Sequence, residues 1–195
     1  MRTLLELGCG VGNAVFPLLE ANRGLFVVAC DLSVHAIRLL RESPAFHKER
    51  WRCDAFVLDA TADHAVMPAA IAAGGGVDMV LLQFSLSAVS PEKMAKVARF
   101  AAVALRPGGV AMLRDYGRFD EAQLRFGRGH RVDDNFYDGT RAFYFSVADL
   151  RRLFVSDAGL AEVECEYLRR QYANRSERKA RRRVFVHAKF QKPFE

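Results

Sequence analysis

The fold is decided by the stretch Thr3-Leu4-Leu5-Glu6-Leu7-Gly8-Cys9-Gly10-Val11-Gly12-Asn13. An apolar run that carries one acidic residue leads into three glycines at alternate positions, and a helical pattern follows them. A second apolar run over residues 25–29 stops shortly before Asp31. The order strand, glycine-rich turn, helix, strand and acidic tip is how an open α/β sheet holds an adenosine. The pattern predicts a nucleoside-binding domain in which Asp31 accepts hydrogen bonds from the ribose hydroxyls.

The spacing of the glycines distinguishes between nucleoside ligands. A dinucleotide fingerprint, G-x-G-x-x-G/A, needs a small residue at position 13, but that position holds Asn13, and the third glycine comes one residue earlier at Gly12. A pyrophosphate also needs the amides of a helix N-terminus close to it. The form E-x-G-x-G-x-G suits a ligand without phosphate whose amino-acid end lies across the loop. The spacing therefore favours S-adenosylmethionine, and its product S-adenosylhomocysteine, over an NAD-type cofactor.

Composition agrees with a single globular enzyme domain over residues 1–195. The chain has 195 residues, 51% of them hydrophobic, and no apolar run approaches the roughly 18 residues of a membrane span. The four cysteines are scattered without a C-x-x-C pair, which predicts reduced thiols, no bound metal and a cytoplasmic or nuclear protein. The net charge of +6 is a modest sign of a polyanionic partner.

Apolar runs alternate with helical patterns along the rest of the chain. Strands are expected at residues 55–58, 77–84, 109–115, 161–168 and 184–190, and helices at 34–42, 65–73, 91–105 and 147–158. Ser33 is the expected N-cap of the first of these helices, with Pro44 beyond its end, and residues 106–109 are expected to form a turn. Residues 118–139 are expected to form a mobile loop. The pattern predicts one doubly wound, mostly parallel Rossmann-like sheet with an antiparallel edge strand.

Ligands of such sheets bind at the carboxyl ends of the strands. There, Asp59 is placed to accept a hydrogen bond from the adenine amine and the Ala60 N–H to meet a ring nitrogen, although Asp59 also suits a turn ahead of Thr61. Gln83 is a candidate for the cleft floor or a partner for a loop carbonyl. The predicted cofactor set is Glu6, Gly8, Gly10, Gly12, Asn13, Asp31, Asp59, Ala60 and Gln83.

Beyond the glycine loop, the chain carries distinctive segments: Phe16-Pro17-Leu18-Leu19, Ala29-Cys30-Asp31, Leu86-Ser87-Ala88-Val89, Arg114-Asp115-Tyr116-Gly117, Leu124-Arg125-Phe126, Asn135-Phe136-Tyr137, Asp138-Gly139-Thr140-Arg141, Tyr144-Phe145, Arg183-Val184-Phe185-Val186 and Lys189-Phe190-Gln191-Lys192-Pro193. Over nearly the whole chain, these segments resemble the RNA 3-methylcytidine methyltransferases of the methyltransferase-like family. The resemblance implies a class I methyltransferase fold, S-adenosylmethionine as cofactor and tRNA as substrate. It also implies cofactor contacts at Gly8, Asp31, Asp59, Ala60 and Gln83.

The chain departs from that family in two places. Family members carry a segment ahead of the first strand, whereas this sequence begins almost at the strand, and the family has a few more residues between Tyr137 and Asp138. We therefore expect the chain to bind cofactor and to methylate tRNA poorly or not at all by itself. Two alternatives stay open: a small-molecule methyltransferase, and a cofactor-binding fragment that needs the preceding segment or a protein partner that aids tRNA recognition.

The implied reaction sets what the acceptor site must supply. The N3 atom of neutral cytosine attacks through a lone pair and the product is a cation, so catalysis depends on positioning and on tolerating positive charge. The predicted catalytic residues are Asp115, as a carboxylate beside the base, with Arg114 and Tyr116 next to it. An internal Arg114–Asp115 ion pair is the alternative. Because N3 is a Watson–Crick atom, the base must be unpaired or flipped, and candidates to stack on it are Tyr116, Phe119, Phe136 and Tyr137.

A run of basic residues extends from Arg169 to Arg183 and is relieved only by Glu177. Such a run is either a solvated face or a surface that binds phosphates. Its position between two late strands predicts a protruding loop or hairpin. The predicted RNA-binding residues are Arg125, Arg175, Lys179, Arg181, Arg182 and Arg183.

Overall fold

The computed structural model describes residues 1–63, 67–72, 74–126, 131–133, 136–137, 141–174 and 179–194. Its strands are β1 Arg2–Leu7, β2 Leu25–Asp31, β3 Cys53–Val57, β4 Val77–Gln83, β5 Leu105–Tyr116, β6 Arg131–Asp133, β7 Phe136–Tyr137, β8 Ala142–Phe143, β9 Ala161–Asn174 and β10 Lys179–Gln191. Its α-helices are α1 Val15–Ala21, α2 Val34–Glu42, α3 Pro44–Glu49, α4 Ala69–Ala72, α5 Pro91–Ala104, α6 Glu121–Arg125 and α7 Val147–Leu150. A 3₁₀ turn spans Leu86–Ala88, and a π-helical turn, Arg151–Ser156, continues α7.

The main sheet has seven strands in the order β3-β2-β1-β4-β5-β10-β9. Strands β1 to β5 pair in parallel, while β10 runs antiparallel to both β5 and the edge strand β9. The predicted doubly wound, mostly parallel sheet with an antiparallel edge is confirmed. Since the carboxyl ends of β1, β2, β4 and β5 meet at one edge, the sheet gathers the predicted site residues there.

Hydrophobic side chains on the two faces of the sheet form two core clusters. One packs Leu5, Val80 and Leu113 of the strands against α5 and the π-helical turn, where the rings of Phe154 and Phe190 stack 4.9 Å apart. The other packs Val27 and its strand neighbours against α1 and α2. Burial of these apolar surfaces holds the carboxyl edge of the sheet rigid beneath the site.

Several elements differ from the sequence expectation. Helix α3 begins at Pro44 because proline suits a first helical position, and the Ser43 hydroxyl accepts a hydrogen bond from Phe46 N–H. The expected turn at residues 106–109 lies within β5 as a register irregularity between the pairs Val77–Leu105 and Met79–Val110. The expected loop at residues 118–139 contains α6, β6 and β7, and β6 to β8 form a small antiparallel sheet.

The late strands are longer than expected. Strands β9 and β10 stay paired out to Asn174 and Lys179, so the basic segment is a hairpin rather than a loop. Because β5 ends opposite Phe185, the hairpin extends beyond the carboxyl edge of the sheet. Arg175 lies outside the described residues, as does the side chain of Lys179.

Candidate functional site

The glycine loop after β1 forms a tight cradle. Gly8 and Cys9 both donate their N–H groups to the Cys30 carbonyl, at 2.8 and 2.9 Å, which ties the loop to the end of β2. Gly8 has φ +78°, and a Cβ at this position would lie 2.4 Å from the Cβ of Ser85. Gly10 has φ +54° with open space where a side chain would stand. Only glycine combines this backbone with so close an approach, which leaves room for a ligand over the loop.

Asp31 links this loop to the following helix. Its Oδ2 accepts a hydrogen bond from Gly10 N–H at 2.7 Å, and its Oδ1 accepts one from Ser33 N–H at 2.8 Å. Each carboxylate oxygen has a further lone pair. Two fixed oxygens at the rim of a cavity suit the paired hydroxyls of a ribose.

A cavity of about 510 Å³ opens at the carboxyl ends of the strands. The predicted cofactor residues Gly8, Asp31, Asp59 and Ala60 line it. Apolar side chains form most of the remaining wall: Leu7, Leu58, Leu82, Leu86, Val89 and Val97. An apolar slot with a few convergent polar groups suits a purine ring with a sugar at its mouth.

Asp59 forms the turn that the sequence analysis gave as one of its two interpretations, and it also lines the cavity. Its Oδ1 accepts hydrogen bonds from the Thr61 N–H and hydroxyl, at 2.8 and 2.7 Å, and these bonds hold the pKa of Asp59 below its usual range. The turn engages Oδ1, so Oδ2 is the atom suited to an adenine amine. The turn and the proposed binding role use different oxygens.

Five predicted cofactor residues stand outside the lining of this cavity: Glu6, Gly10, Gly12, Asn13 and Gln83. Glu6 is buried beneath the glycine loop, where desolvation and then the charge of Asp31 raise its pKa to about 8, and its Oε2 has no hydrogen-bond partner among the described residues. Gly12 packs against the Phe16 ring, Asn13 is exposed and Gln83 is half-buried. Their contacts with cofactor stay predictions.

Asp115 occupies a different environment from the predicted one. The residue is 0% exposed, and its two oxygens accept hydrogen bonds from Ser87 N–H at 3.0 Å and Tyr116 N–H at 2.9 Å. Burial raises its pKa to about 6 despite these amides. This buried carboxylate fixes the 3₁₀ turn whose residues Leu86 and Ala88 line the cavity. Its role beside the acceptor base stays a prediction.

Arg114 does not pair with Asp115 either. Neighbouring side chains of a strand point to opposite faces of the sheet, and the Arg114 guanidinium lies 5.0 Å from the centre of the Phe185 ring. Its Nε is buried and has no hydrogen-bond partner among the described residues. The alternative of an Arg114–Asp115 ion pair is therefore not the arrangement that β5 adopts.

Four aromatic side chains form what we call the aromatic wall: Phe84, Tyr116, Tyr144 and Phe185. The Tyr116 ring lies 5.3 Å from Phe84 and 5.8 Å from Tyr144, and Phe84 lies 5.6 Å from Phe185. Phe84 lines the cavity and has φ +53°, a strained backbone for a bulky residue. The sequence pattern indicated only that Phe84 ends a strand, so sequence reasoning missed this functional candidate.

The other candidates for stacking on a base lie elsewhere. Phe119 is 65% exposed and belongs to a separate groove, and Phe136 is buried in the core. The side chain of Tyr137 lies outside the described residues. Of the four predicted stacking residues, Tyr116 is the one that the described structure places beside the cavity.

A second concavity, of about 630 Å³, lies between α6 and the β9–β10 hairpin. We call it the arginine groove, since Arg118, Arg169, Arg170, Arg182 and Arg183 line it together with Phe119 and Tyr167. The guanidinium of Arg183 lies 5.7 Å from the Tyr116 ring. The aromatic wall therefore contributes Phe84 to the cavity, while its Tyr116 and Phe185 rings contact Arg183 of the groove.

The predicted RNA-binding residues divide into two groups. Arg125 and Arg181 pair with Glu121, at 3.5 and 3.2 Å, and Arg183 pairs with Asp120 at 2.8 Å. Arg182 is exposed and lines the arginine groove. The basic run is thus partly neutralised by Asp120 and Glu121, while the groove also contains Arg169 and Arg170 from the start of the run, and Arg118, which the sequence analysis did not single out.

Comparison with known proteins identifies the chain. The family model described as "Methyltransferase domain" matches residues 5–111. The tRNA N(3)-cytidine methyltransferase METTL6 of Mus musculus is 44% identical over 98% of this chain and 67% of its own length. METTL2B of Homo sapiens, a tRNA N(3)-cytidine methyltransferase, is 43% identical over 97% of this chain and 50% of its own. The chain belongs to the family of tRNA N(3)-cytidine methyltransferases.

The chain therefore contains a methyltransferase domain with S-adenosylmethionine as its cofactor. The chain spans between about half and two thirds of the length of these curated relatives. In the part of the chain that the structure describes, none of the helices has the length and apolar character to cross a membrane.

Solved structures show the same fold. An S-adenosylmethionine-dependent methyltransferase from Methanosarcina mazei superposes with a TM-score of 0.70 at 18% identity, covering 99% of this chain and 93% of that one. The magnesium protoporphyrin IX methyltransferase of Synechocystis, solved with S-adenosylhomocysteine, gives 0.64 at 17% identity over 97% of this chain and 73% of its own.

Proposed function

We propose that this chain methylates N3 of a cytidine in tRNA. The observation that carries the proposal is the aromatic wall, which joins the cofactor cavity to the arginine groove through Phe84, Tyr116 and Arg183. An RNA methyltransferase needs these three parts in contact: a cofactor pocket, a surface for an unstacked base, and a cationic track for the backbone. The names of the relatives agree with that substrate.

The residues present fit the cofactor. The purine slot, the Asp31 rim and the open space over Gly10 accommodate an adenosine with its amino-acid end across the loop. We propose that Asp31 accepts from the ribose, that Asp59 Oδ2 accepts from the adenine amine and that Ala60 N–H donates to the ring. The bound cofactor supplies an electrophilic methyl group on a sulfonium. Ser85 lines this cavity, and its buried Oγ has no hydrogen-bond partner among the described residues.

The acceptor base requires positioning rather than deprotonation. The N3 lone pair of neutral cytosine is already nucleophilic, so the chain has to hold the flipped base in line and stabilise the positive charge that grows on it. An aromatic face attracts a cation with about 0.5–2 kcal/mol. We propose that Phe84 and Tyr116 provide this stabilisation, in place of the buried Asp115 carboxylate.

The arginine groove is the proposed track for the RNA backbone. Arg182 and Arg169 lie on opposite strands of the hairpin, two pairing positions apart. Arg182 pairs with Gln171, and Arg169 pairs with Val184. Arg169 also lies 5.6 Å from the Tyr167 ring, a combination of charge and ring suited to a phosphate and its base. A protein partner that aids tRNA recognition and a cytoplasmic or nuclear location stay predictions.

The proposal is tested by incubating the chain with S-adenosylmethionine and unmodified tRNA transcripts and analysing the nucleosides by mass spectrometry. We expect 3-methylcytidine, in larger amount than with free cytidine at the same nucleoside concentration. The Phe84→Ala variant should lose most of that product while it still binds cofactor. Methylation of small acceptors with no tRNA product would support a small-molecule methyltransferase instead and would contradict the proposal.

A further inference from the structure

Asp120 is a buried carboxylate at the junction of β5, α6 and β10. It is 0% exposed, and its oxygens accept hydrogen bonds from Val184 N–H at 2.7 Å, Ala122 N–H at 2.8 Å and Arg183 Nε–H at 2.8 Å. The β5–β10 ladder stops just before this point, with Gly117 N–H donating to the Val184 carbonyl at 2.9 Å. The Asp120 carboxylate thus accepts a hydrogen bond from a β10 N–H group that a neighbouring strand would otherwise bind, and it also pairs with the Arg183 guanidinium.

The cation in question lies against the aromatic wall. The Arg183 guanidinium carbon is 5.3 Å from the centre of the Phe185 ring and 5.7 Å from that of Tyr116, and the side chain is 30% exposed. Tyr116 in turn contacts Phe84 at the cavity. A continuous chain of contacts therefore runs from Asp120 through Arg183 and Tyr116 to the cofactor cavity.

We propose that Asp120 is a positioning residue of the acceptor site, which fixes Arg183 and, through it, the rings that hold the acceptor base. This inference rests on the proposed function. A helix N-cap needs one acceptor oxygen and no burial, yet Asp120 is fully buried and pairs with an arginine 63 residues away. Without the carboxylate, Arg183 would be a half-buried cation with no counter-charge and would turn toward water, releasing the Tyr116 and Phe185 rings.

The test is a double-mutant cycle on Asp120→Asn and Arg183→Gln, measured as kcat/KM for 3-methylcytidine formation in tRNA. Each single change should lower kcat/KM about 10- to 100-fold, because misplacing the wall misplaces the base. The double variant should be no worse than the poorer single one, since both remove the same unit. The dissociation constant of S-adenosylmethionine should stay within about twofold of the parent value.

The matched control is Glu162→Gln, a carboxylate-to-amide change at the exposed ion pair with Arg151, far from the wall. It should leave kcat/KM unchanged. Additive losses in the cycle, or parental kcat/KM for Asp120→Asn, would overturn the proposal. If Asp120→Asn does not fold, Arg183→Gln still decides, because it leaves the bonds of Asp120 to Ala122 and Val184 intact; parental kcat/KM in that variant would overturn the proposal.

A second readout separates this inference from the proposed function. Relative to the parent chain, the ring-proton resonances of Tyr116 and Phe185 should shift in NMR spectra of the Asp120→Asn variant. They should not shift in spectra of the Glu162→Gln variant. Ring resonances that do not move on Asp120→Asn overturn the positioning role, whatever the substrate. Shifted rings with no 3-methylcytidine from the parent would support the fixing of the wall and refute the acceptor assignment.

Discussion

The carboxylate of Asp115 accepts a hydrogen bond from the Ser87 backbone N–H at 3.0 Å, joining residues 28 positions apart. This bond ties the tip of β5 to the 3₁₀ turn whose residues Leu86 and Ala88 line the cofactor cavity. Asp115 also accepts from the N–H of Tyr116, a member of the aromatic wall. The buried Asp115 carboxylate therefore positions both the 3₁₀ turn beside the cavity and Tyr116 of the proposed acceptor surface.

Asp115→Asn should lower both stability and cofactor affinity. The amide keeps one acceptor oxygen but turns an NH₂ group toward backbone N–H donors, a buried mismatch that costs about 1–3 kcal/mol. Chemical unfolding and calorimetry with S-adenosylmethionine measure the two effects. Asp149→Asn is the matched control, because that carboxylate caps α7 at Ser146 away from the cavity and should change stability alone. Parental unfolding and affinity in Asp115→Asn would contradict this account of the wall.

Stability should fall as pH rises from the ordinary carboxyl range toward pH 8. Burial raises the pKa of Glu6 from 4.5 to about 8, so between these values the folded chain holds a proton that the unfolded chain releases. The free energy of unfolding then decreases by about 1.4 kcal/mol for each pH unit in that window. Glu6→Gln should flatten the curve in urea unfolding across this range. Parallel curves for parent and variant would show that Glu6 is not protonated in the fold.

Asp31→Ala should weaken binding of S-adenosylmethionine. The change removes the acceptor for Gly10 and Ser33 N–H as well as the proposed ribose contact, so we expect a loss of at least about 1–3 kcal/mol. Calorimetry gives the affinity, and Asp157→Ala, which removes an exposed carboxylate paired with Arg152, is the control. Unchanged affinity in Asp31→Ala, together with tighter binding of NADH by the parent, would contradict the placement of the cofactor.

The arginine groove should account for part of the salt dependence of tRNA binding. Replacing Arg169 and Arg182 with Gln should reduce the slope of log affinity against log salt by roughly 0.7–0.9 for each phosphate that the groove no longer neutralises. Replacing Arg151 and Arg152, two exposed arginines outside the groove, removes the same charge and serves as the control. Equal slopes in the two variants would show that the arginine groove does not bind phosphates of the tRNA.

Local sequence signals were sufficient for most of the fold. The helix at Val34–Glu42 and its Ser33 cap were predicted correctly, because an N-cap depends on residues close in sequence. The Ser33 hydroxyl accepts a hydrogen bond from the N–H of Ala36, three residues later. The alternate glycines likewise predicted the tight turn after β1, where Gly8, Gly10 and Gly12 all have positive φ. Pro44 lies beyond the end of helix α2, as predicted, but the prediction missed helix α3, which begins at the same proline.

The acceptor side depends on contacts that no local pattern contains. The burial of Asp115 follows from a turn 28 residues earlier, and the pairing of Asp120 with Arg183 spans 63 residues. The positive φ of Phe84 arises where β4 leaves the sheet, and an aromatic residue at a strand end gives no sign of it. Sequence reasoning therefore did not anticipate the burial of Asp115, and it missed Asp120 and Phe84 as candidates.

The central claim is tested most directly with S-adenosylmethionine that carries an isotopically labelled methyl group. The chain is incubated with this cofactor and tRNA. The tRNA is then digested to nucleosides, which are separated and identified by mass spectrometry. We predict labelled 3-methylcytidine, reduced strongly by Asp31→Ala and by Phe84→Ala. Label in another nucleoside, or at another position of cytidine, would contradict the account.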